Sequence, residues 1–137
     1  MSKNIYLAGP FFTVEERNRV ADLADVLRDS GHTVYVPMEH EVNDAWGLEN
    51  HIWAETVFLE DMKAIRDCEE VYAIINGGMT DDAGTCWEIG FAFGIGKPVT
   101  LVMTNREKQS LMIQNGSSRA RDFETLDLIS KKEFEQS

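Results

Sequence analysis

Hydrophobic and polar positions along the chain follow two periods in turn, and these predict strands and helices. Short apolar runs typical of buried strands occupy four segments, 3–8, 32–37, 70–75 and 97–103. Between them, apolar residues recur every three or four positions, as on one face of a helix. This spacing predicts helices over residues 14–29, from about 51 to 67, and from the segment around Glu88 to about 94.

Strands that alternate with helices predict an α/β fold. Right-handed crossovers between parallel strands place helices on both faces of a sheet. We therefore expect a three-layer flavodoxin-like or Rossmann-like fold with a central parallel sheet of about five strands. Towards the carboxyl terminus, the pattern predicts one short helix within 105–116, a last strand over 122–128 and a helical tail over 130–135.

The length of 137 residues suits one compact domain over residues 1–137, because a second core of ordinary size would not fit. The polar stretch at 38–50 is long enough to be a lid or a binding loop. No apolar run approaches the roughly 20 residues that a membrane-spanning helix needs. The start of the chain lacks the apolar core of a secretion signal, so we expect a cytoplasmic protein without membrane contact.

Charge and metal-binding residue types exclude several classes of function. The formal net charge is −11, and the 13 Lys and Arg residues are scattered, so nucleic acid is not an expected partner. Cys68 and Cys86 do not form the close pair that marks zinc or redox sites. The three histidines lack metal-ligand spacing. We therefore expect no metal, and a small-molecule ligand fits the composition.

The stretch from residue 81 to residue 92 contains the leading candidate for a catalytic side chain. It places Glu88 among small and glycine residues at a predicted helix start. The carboxyl ends of parallel strands and the amino ends of the following helices line the ligand crevice of an open sheet. The helix dipole stabilises the charged form of a carboxylate there, which suits an ionised nucleophile. Gly84 lowers the steric bulk nearby.

The same glutamate has a structural interpretation, which the sequence leaves open. Thr85 and Glu88 have the spacing of a capping box, in which a threonine and a glutamate three residues later satisfy the first free amide groups of a helix. Both interpretations predict a helix start in this segment.

Further candidates lie near the same strand ends. Tyr6 could hold a helix carboxylate through its hydroxyl, or it is a half-buried strand residue. Asp61 equally fits the solvent-facing surface of a helix, and Asp82 equally fits a helix cap. Phe11 and Phe12 follow the first strand and suit either loop packing or a platform for a flat ring.

Three motifs, in this order and separation, resemble the nucleoside 2-deoxyribosyltransferase family. The first is Ile-Tyr-Leu-Ala-Gly-Pro-Phe-Phe-Thr at 5–13, and the second is Asp61 in its helix. The third is Asp-Ala-Gly-Thr-Cys-Trp-Glu-Ile-Gly at 82–90. The similarity extends from the first strand to about Gly116.

The resemblance implies roles for these residues. Glu88 is expected to attack the anomeric carbon of a 2'-deoxyribonucleoside, with Tyr6 as its hydrogen-bond partner. Asp61 and Asp82 are expected on the nucleobase side, where one assists protonation of the departing base. Phe11 matches a position beside the base. The other substrate contacts that we expect are Gly9, Phe12, Gly84, Ser110 and Met112.

The implied reaction transfers 2-deoxyribose between nucleobases with retention, through a covalent glycosyl-enzyme intermediate. Deoxynucleosides and free nucleobases would be the small-molecule partners, and no metal or organic cofactor is required. Met112 resembles a segment that a neighbouring subunit contributes, so a homo-oligomer with sites at subunit contacts is implied.

Two alternatives stay open. Ser110 also resembles a feature of the 2'-deoxynucleoside 5'-monophosphate N-glycosidases, which hydrolyse the same N-glycosidic bond. The first loop, however, lacks the arginine that those hydrolases use near phosphate. The third hypothesis is a non-catalytic nucleoside-binding or nucleotide-binding module.

Overall fold

The predicted alternation of strands and helices is present in the structure, a computed structural model that describes residues 2–40, 49–77, 81–105, 110–130 and 133. The strands are β1 (Asn4–Ala8), β2 (Thr33–Tyr35), β3 (Glu70–Ile75), β4 (Val99–Met103), β5 (Arg119–Asp122) and β6 (Leu128–Ile129). The helices are α1 (Val14–Asp29), α2 (Asn50–Asp67), α3 (Ala83–Gly94) and α4 (Leu111–Gly116), with a 3-10 turn at Pro37–His40.

These strands form one sheet in the order β2-β1-β3-β4-β5-β6. All neighbouring pairs are parallel except β5 with β6, which is antiparallel. The structure confirms the predicted three-layer α/β fold, with six strands in the described residues. Strands β2 and β3 lie on opposite sides of β1 in the sheet, so the strand order reverses between β1 and β3. Ligands bind at such a reversal in open α/β sheets.

The side-chain alternation of β1 divides the core into two layers. Ile5 and Leu7 pack with Leu23 of α1 in one apolar cluster. Tyr6 packs in the other cluster, which contains Ile65 of α2 and Ile89 of α3. Since successive side chains of a strand point to opposite faces, this register sends the Tyr6 side chain towards α2 and α3.

The prediction of a last strand over 122–128 is wrong. Strand β5 ends at Asp122, and the segment that follows is a turn leading into β6 at Leu128. The Asp122 carboxylate accepts a hydrogen bond from the Thr125 amide at 3.0 Å, and Leu126 adopts a left-handed backbone with φ of 60°. An aspartate that bonds a backbone amide three residues later favours a turn over an extended strand.

Two other predictions concern parts of the chain that are only partly described. The short helix within 105–116 is confirmed as α4. The helical tail predicted over 130–135 lies mainly outside the described residues, and so does the predicted loop at 38–50. In the described part of the chain, none of the helices is long and apolar enough to cross a membrane.

Candidate active site

The hydroxyl of Tyr6 donates a hydrogen bond to the Oε2 atom of Glu88, which joins β1 to α3. Tyr6 is fully buried, and its ring stacks on Tyr35 of β2 with centroids 5.6 Å apart. The phenol is therefore held by core packing, and only its hydroxyl is left to meet the carboxylate. The structure thus brings together the two residues that the sequence singled out at 6 and 88.

The start of α3 explains why the Glu88 side chain is available. Asp82 is the N-cap residue, and its carboxylate accepts hydrogen bonds from the amide and the hydroxyl of Thr85, each at 2.8 Å. The capping-box interpretation of Thr85 and Glu88 is therefore wrong, because the helix begins at Ala83 and its cap lies at 82. A short aspartate side chain already satisfies the amide three positions later, so Glu88 is not needed for capping.

A second aspartate fixes the loop that leads into α3. The Asp81 carboxylate accepts hydrogen bonds from the amides of Asn76 at 2.6 Å and Gly77 at 3.2 Å, directly after β3. Burial raises the pKa of Asp81, while these two amide bonds oppose that rise. The sequence pattern predicts no role for Asp81. Its bonds tie the amino end of α3 to the carboxyl end of β3, where the strand order reverses.

Burial sets the protonation of the Tyr6–Glu88 pair. Burial raises the pKa of Glu88 to about 7; the Tyr6 hydrogen bond lowers it, and the negative charges of Asp61 and Asp82 raise it further. The pKa of Tyr6 lies well above its usual range, first because the ring is buried and then because Glu88 and Asp61 are nearby. Tyr6 therefore stays protonated and donates, while Glu88 changes charge near neutral pH.

Asp61 is the second carboxyl group of the site. It lies on α2, and burial raises its pKa to about 6, with Glu60 adding to the rise and His40 opposing it. An isolated carboxyl group on an exposed helix surface would titrate near its ordinary value of about 4. The Asp61 side chain is half-buried, so the purely solvent-facing interpretation does not hold.

Glu88 and Asp61 line one cavity of about 470 Å³ between α2 and α3. Its full lining consists of Phe58, Asp61, Met62, Ala83, Gly84, Trp87 and Glu88. The two acids are the charged side chains of this lining, and the rest is apolar or small. A Cβ atom at Gly84 would lie 3.3 Å from the Asp82 carboxylate, so glycine leaves the helix cap undisturbed at the rim of the cavity.

The aromatic pair after β1 lies elsewhere. The rings of Phe11 and Phe12 stack with centroids 6.3 Å apart, and the Arg17 guanidinium lies 5.9 Å from the centre of the Phe11 ring. Neither ring belongs to the lining of the cavity beside Glu88, as far as the described residues define it. Gly9 also lies outside that lining, and a Cβ atom there would come within 3.3 Å of the Ile74 side chain.

Ser110 and Met112 are also outside the cavity of their own chain. The Ser110 hydroxyl caps α4 by accepting a hydrogen bond from the Met112 amide at 3.2 Å. The Met112 side chain is 73% exposed and lines a separate, largely apolar groove of about 560 Å³ between α3 and α4. Phe93 and Leu111 line the same groove and are also exposed.

Phe58 and Trp87 form the aromatic wall of the cavity, and neither is among the site residues predicted from the sequence. Phe58 precedes Asp61 by three residues in α2, a spacing that places both on one helix face and could have identified it. Trp87 is adjacent to Glu88, and adjacent helical residues point about 100° apart, so no spacing rule connects them. In the described part of the chain, no group of three or more His, Cys, Asp or Glu could hold a metal ion.

Comparison with known proteins places this site in a family context. The family model described as nucleoside 2-deoxyribosyltransferase matches residues 5–124. The solved structure of a 2-deoxyribosyltransferase from the psychrotolerant bacterium Bacillus psychrosaccharolyticus is 34% identical, with a TM-score of 0.80. That similarity covers 94% of this chain and 93% of the other. The matched residues include Tyr6, Asp61 and Glu88.

More distant structures share the fold. A CMP N-glycosidase from Clostridium botulinum is 21% identical with a TM-score of 0.59, over 98% of this chain and 88% of the other. A 2-deoxyribosyltransferase from Leishmania mexicana is 20% identical with a TM-score of 0.61, over 97% of this chain and 83% of the other. No curated protein sequence gives a significant match.

Proposed function

This chain belongs to the nucleoside 2-deoxyribosyltransferase family, and on that basis we propose that it transfers 2-deoxyribose from one nucleobase to another. The observation that carries the proposal is the Tyr6–Glu88 hydrogen bond beside a cavity that Asp61 also lines. Family membership supports deoxyribosyl transfer or a related N-glycosidase activity, and the arrangement of these three side chains favours the covalent route described next.

In the first half of the reaction, the ionised Glu88 carboxylate attacks the anomeric carbon of a bound deoxynucleoside. A bond forms between that carbon and a Glu88 oxygen while the bond to the base nitrogen breaks. A proton from Asp61 goes to the departing base, so the base leaves as a neutral molecule. Tyr6 keeps the attacking carboxylate in place and stays protonated, because its own pKa is far above neutral.

In the second half, another nucleobase attacks the same carbon and displaces Glu88. The incoming base returns a proton to Asp61, and the Glu88 carboxylate is released in its original state. Two inversions give overall retention at the anomeric carbon. The carboxylate also stabilises the positive charge that develops on the sugar between the two bonded states.

This division of roles requires the two carboxyl groups to share one proton. The negative charge of Asp61 raises the pKa of Glu88, so a proton on Asp61 favours an ionised Glu88. The interaction therefore disfavours the state in which both carboxyl groups are ionised, so the pair shares one proton. The values of about 6 for Asp61 and about 7 for Glu88 leave that proton mainly on Glu88 in the free protein, and the reaction needs it on Asp61. The values of about 7 and about 6 belong to groups that interact, so we expect the site to titrate as a unit.

The direct test is an exchange assay. The protein is incubated with thymidine and adenine, and the formation of deoxyadenosine and thymine is followed by chromatography. A 2-deoxy-2-fluoroarabinosyl nucleoside, which slows the second displacement, should leave a sugar adduct on Glu88 that mass spectrometry detects. Folded wild-type protein that neither exchanges nor releases a base from any deoxynucleoside would show that the proposal is wrong.

A second candidate function is hydrolysis of 2'-deoxynucleoside 5'-monophosphates, which Ser110 favours. Its hydroxyl lies at the start of α4, where it accepts the Met112 amide hydrogen and can still donate its own hydrogen. This function predicts release of deoxyribose 5-phosphate from a monophosphate, with faster turnover than for the nucleoside. Assays with deoxycytidine and its monophosphate, each with and without an acceptor base, separate the two functions. Binding of these compounds without any turnover would instead support a binding module.

We also propose that the site is completed in a homo-oligomer. Met112 lies in an apolar groove with Phe93 and Leu111, all of them exposed in the single chain. Exposed apolar surface of this kind favours association with another protein surface. A second copy would cover the groove and could bring its Met112 towards the sugar end of a neighbouring cavity.

A further inference from the structure

We propose that the indole of Trp87, supported by Phe58, is the stacking surface for the nucleobase and makes the site favour purines over pyrimidines. The inference rests on the proposed function for the kind of ligand. It assigns a role to Phe58 and Trp87, for which the resemblance implied none.

Trp87 is placed to contact whatever occupies the cavity. It immediately precedes Glu88 in α3 and lines the same cavity as Glu88 and Asp61. Half of its surface is exposed, although tryptophan is among the side chains that gain most from burial. A flat apolar ligand in the cavity would cover part of this surface.

The indole is held in place by its neighbours. The Phe91 ring stacks on it with centroids 5.5 Å apart and planes 11° apart, and the Phe58 ring contacts it edge-on at 5.6 Å. The Arg66 guanidinium lies 5.5 Å from the centre of the Phe91 ring and closes the row of rings on the outside. Because the indole is already fixed before a ligand arrives, little side-chain entropy is lost on binding.

The polar groups of the cavity match the edge of a nucleobase. Asp61 and Glu88 are its charged lining residues, and Met62 adds to the apolar part. A flat heterocycle that stacks on the Trp87 indole would have its nitrogen-bearing edge free to reach a carboxyl group. The cavity therefore combines a π surface with acids, which suits a nucleobase better than a purely aliphatic ligand.

The Phe11 and Phe12 rings do not supply this surface in the cavity. Arg17 lies over Phe11, and the Phe12 side chain is 81% exposed. Of the aromatic side chains that the structure describes, Phe58 and Trp87 are the ones in the lining that contains Glu88.

The purine preference follows from contact area. Stacking and apolar burial both increase with the area of the ring that is covered. A purine has two fused rings and an indole has two fused rings, so their overlap can exceed that of a single pyrimidine ring. Loss of the indole should therefore weaken purine binding more than pyrimidine binding.

The test measures binding of free bases, which needs no turnover because no deoxyribose donor is present. Dissociation constants for adenine and thymine are measured by calorimetry for the wild type and for the variants Trp87→Leu and Trp87→Phe. We expect Trp87→Leu to weaken adenine binding about tenfold, which corresponds to the loss of one base-aromatic stack. Thymine binding should weaken less, and Trp87→Phe should recover much of the adenine affinity.

Controls separate stacking from folding and from association. Leu128→Ala removes another exposed apolar side chain, on β6, and should leave both affinities unchanged. Circular dichroism and light scattering show whether each variant is folded and associated as the wild type is. Unchanged adenine affinity in a folded Trp87→Leu variant overturns the proposal, and so does a change in association alone. Equal weakening for both bases overturns the purine preference.

The outcome can be told apart from failure of the proposed function. If the wild type shows no exchange while Trp87→Leu still weakens adenine binding selectively, the proposed transfer is wrong and the stacking surface stands. If exchange is normal and adenine affinity does not depend on Trp87, the proposed transfer stands and the stacking surface is wrong.

Discussion

At the scale of single residues, the candidate site contains a tyrosine whose ring lies in the core and whose hydroxyl contacts Glu88. Tyr6 is fully buried and donates to Glu88, and its hydrogen bond lowers the pKa of that carboxyl group against the effect of burial. Removing the hydroxyl should therefore leave the fold in place and make Glu88 harder to ionise.

We expect Tyr6→Phe to lower kcat/KM by about 10- to 100-fold, in line with the loss of one hydrogen bond to a charged group. The acidic limb of the pH–rate profile should move to higher pH, because the Glu88 pKa rises when the donor is lost. Tyr35→Phe, which removes the hydroxyl of the ring stacked on Tyr6, is the matched control and should leave that limb in place. An unshifted limb in Tyr6→Phe would contradict the role assigned to the hydroxyl.

Glu88 is also expected to destabilise the fold near neutral pH. Its pKa is raised from 4.5 to about 7, so the folded state binds a proton more tightly than the unfolded state. Stability from this group is complete below the unfolded value and is lost as the pH rises through the folded value. Glu88→Gln removes the ionisation and should gain about 2 kcal/mol in unfolding free energy between pH 5 and pH 8 relative to wild type. Urea denaturation at the two pH values measures this, and an equal difference at both would contradict it.

Asp61 should matter most when the leaving base needs a proton. Asp61→Asn should lower kcat for deoxyadenosine by about 100-fold or more, as expected for loss of a general acid. With 7-methyl-2'-deoxyguanosine the base leaves as a neutral molecule without protonation, so the loss should be much smaller. Asp67→Asn, on the same helix and paired with Lys63, is the control. Equal losses on both substrates would show that Asp61 does not act as the acid.

At the scale of elements, the beginning of α3 decides where Glu88 points, and its cap has two possible roles. The Asp82 carboxylate bonds Thr85 at both its amide and its hydroxyl, and the resemblance also places Asp82 on the nucleobase side. Helix capping and substrate contact make different demands on the side chain, because serine or asparagine can cap but neither is an acid.

We expect Asp82→Ala to cost about 1 kcal/mol of stability, the usual effect of losing an N-cap. Asp82→Ser should restore most of that stability. If activity returns together with stability in Asp82→Ser, the residue acts only as a cap. If stability returns and activity does not, the carboxylate contributes to the reaction, as the family resemblance implies. Thermal denaturation and the exchange assay on the same preparations make the comparison.

The elements themselves could be predicted because periodicity is a local property of the sequence. The helix over 14–29 matches α1, and the strand over 70–75 matches β3. The exception is 122–128, where Leu126 and Leu128 alternate with a polar residue as they would in a strand. There the Asp122 side chain and the left-handed backbone of Leu126 make a turn, and this turn chemistry outweighs the apolar pattern.

At the scale of the whole molecule, the sequence predicted the meeting of Tyr6 and Glu88 better than it predicted their surroundings. Glu88 and Tyr6 come together because parallel strands and following helices share one edge of the sheet, which follows from topology. The cavity wall depends on how α2 and α3 lie against each other, and local patterns contain only part of that information. The three-residue spacing links Phe58 to Asp61, but no spacing rule links Trp87 to Glu88. Phe58 and Trp87 are absent from the residues predicted from the sequence. Phe11 and Phe12 were predicted to contact the substrate because they follow β1, but they lie outside the cavity lining that contains Glu88.

The groove that contains Met112 predicts how the whole molecule behaves in solution. We expect Met112→Glu to weaken self-association, because a charge in a covered apolar groove is costly to bury. Leu128→Glu puts the same charge on β6 and should leave the association state unchanged. Light scattering with size-exclusion chromatography measures both. A wild type that is monomeric at all concentrations would contradict the homo-oligomer.

The burial of Tyr6 has a consequence for anyone who wishes to redesign this protein. Its aromatic ring packs in one core cluster with Ile65 and Ile89. Most substitutions at position 6 would therefore disturb the core, and such variants would fail to fold before their activity could be selected. The cavity wall at Phe58 and Trp87 is half open to solvent, and exchange there need not repack the sheet. Laboratory evolution can therefore change the range of accepted substrates through these two positions with the smallest loss of folding stability.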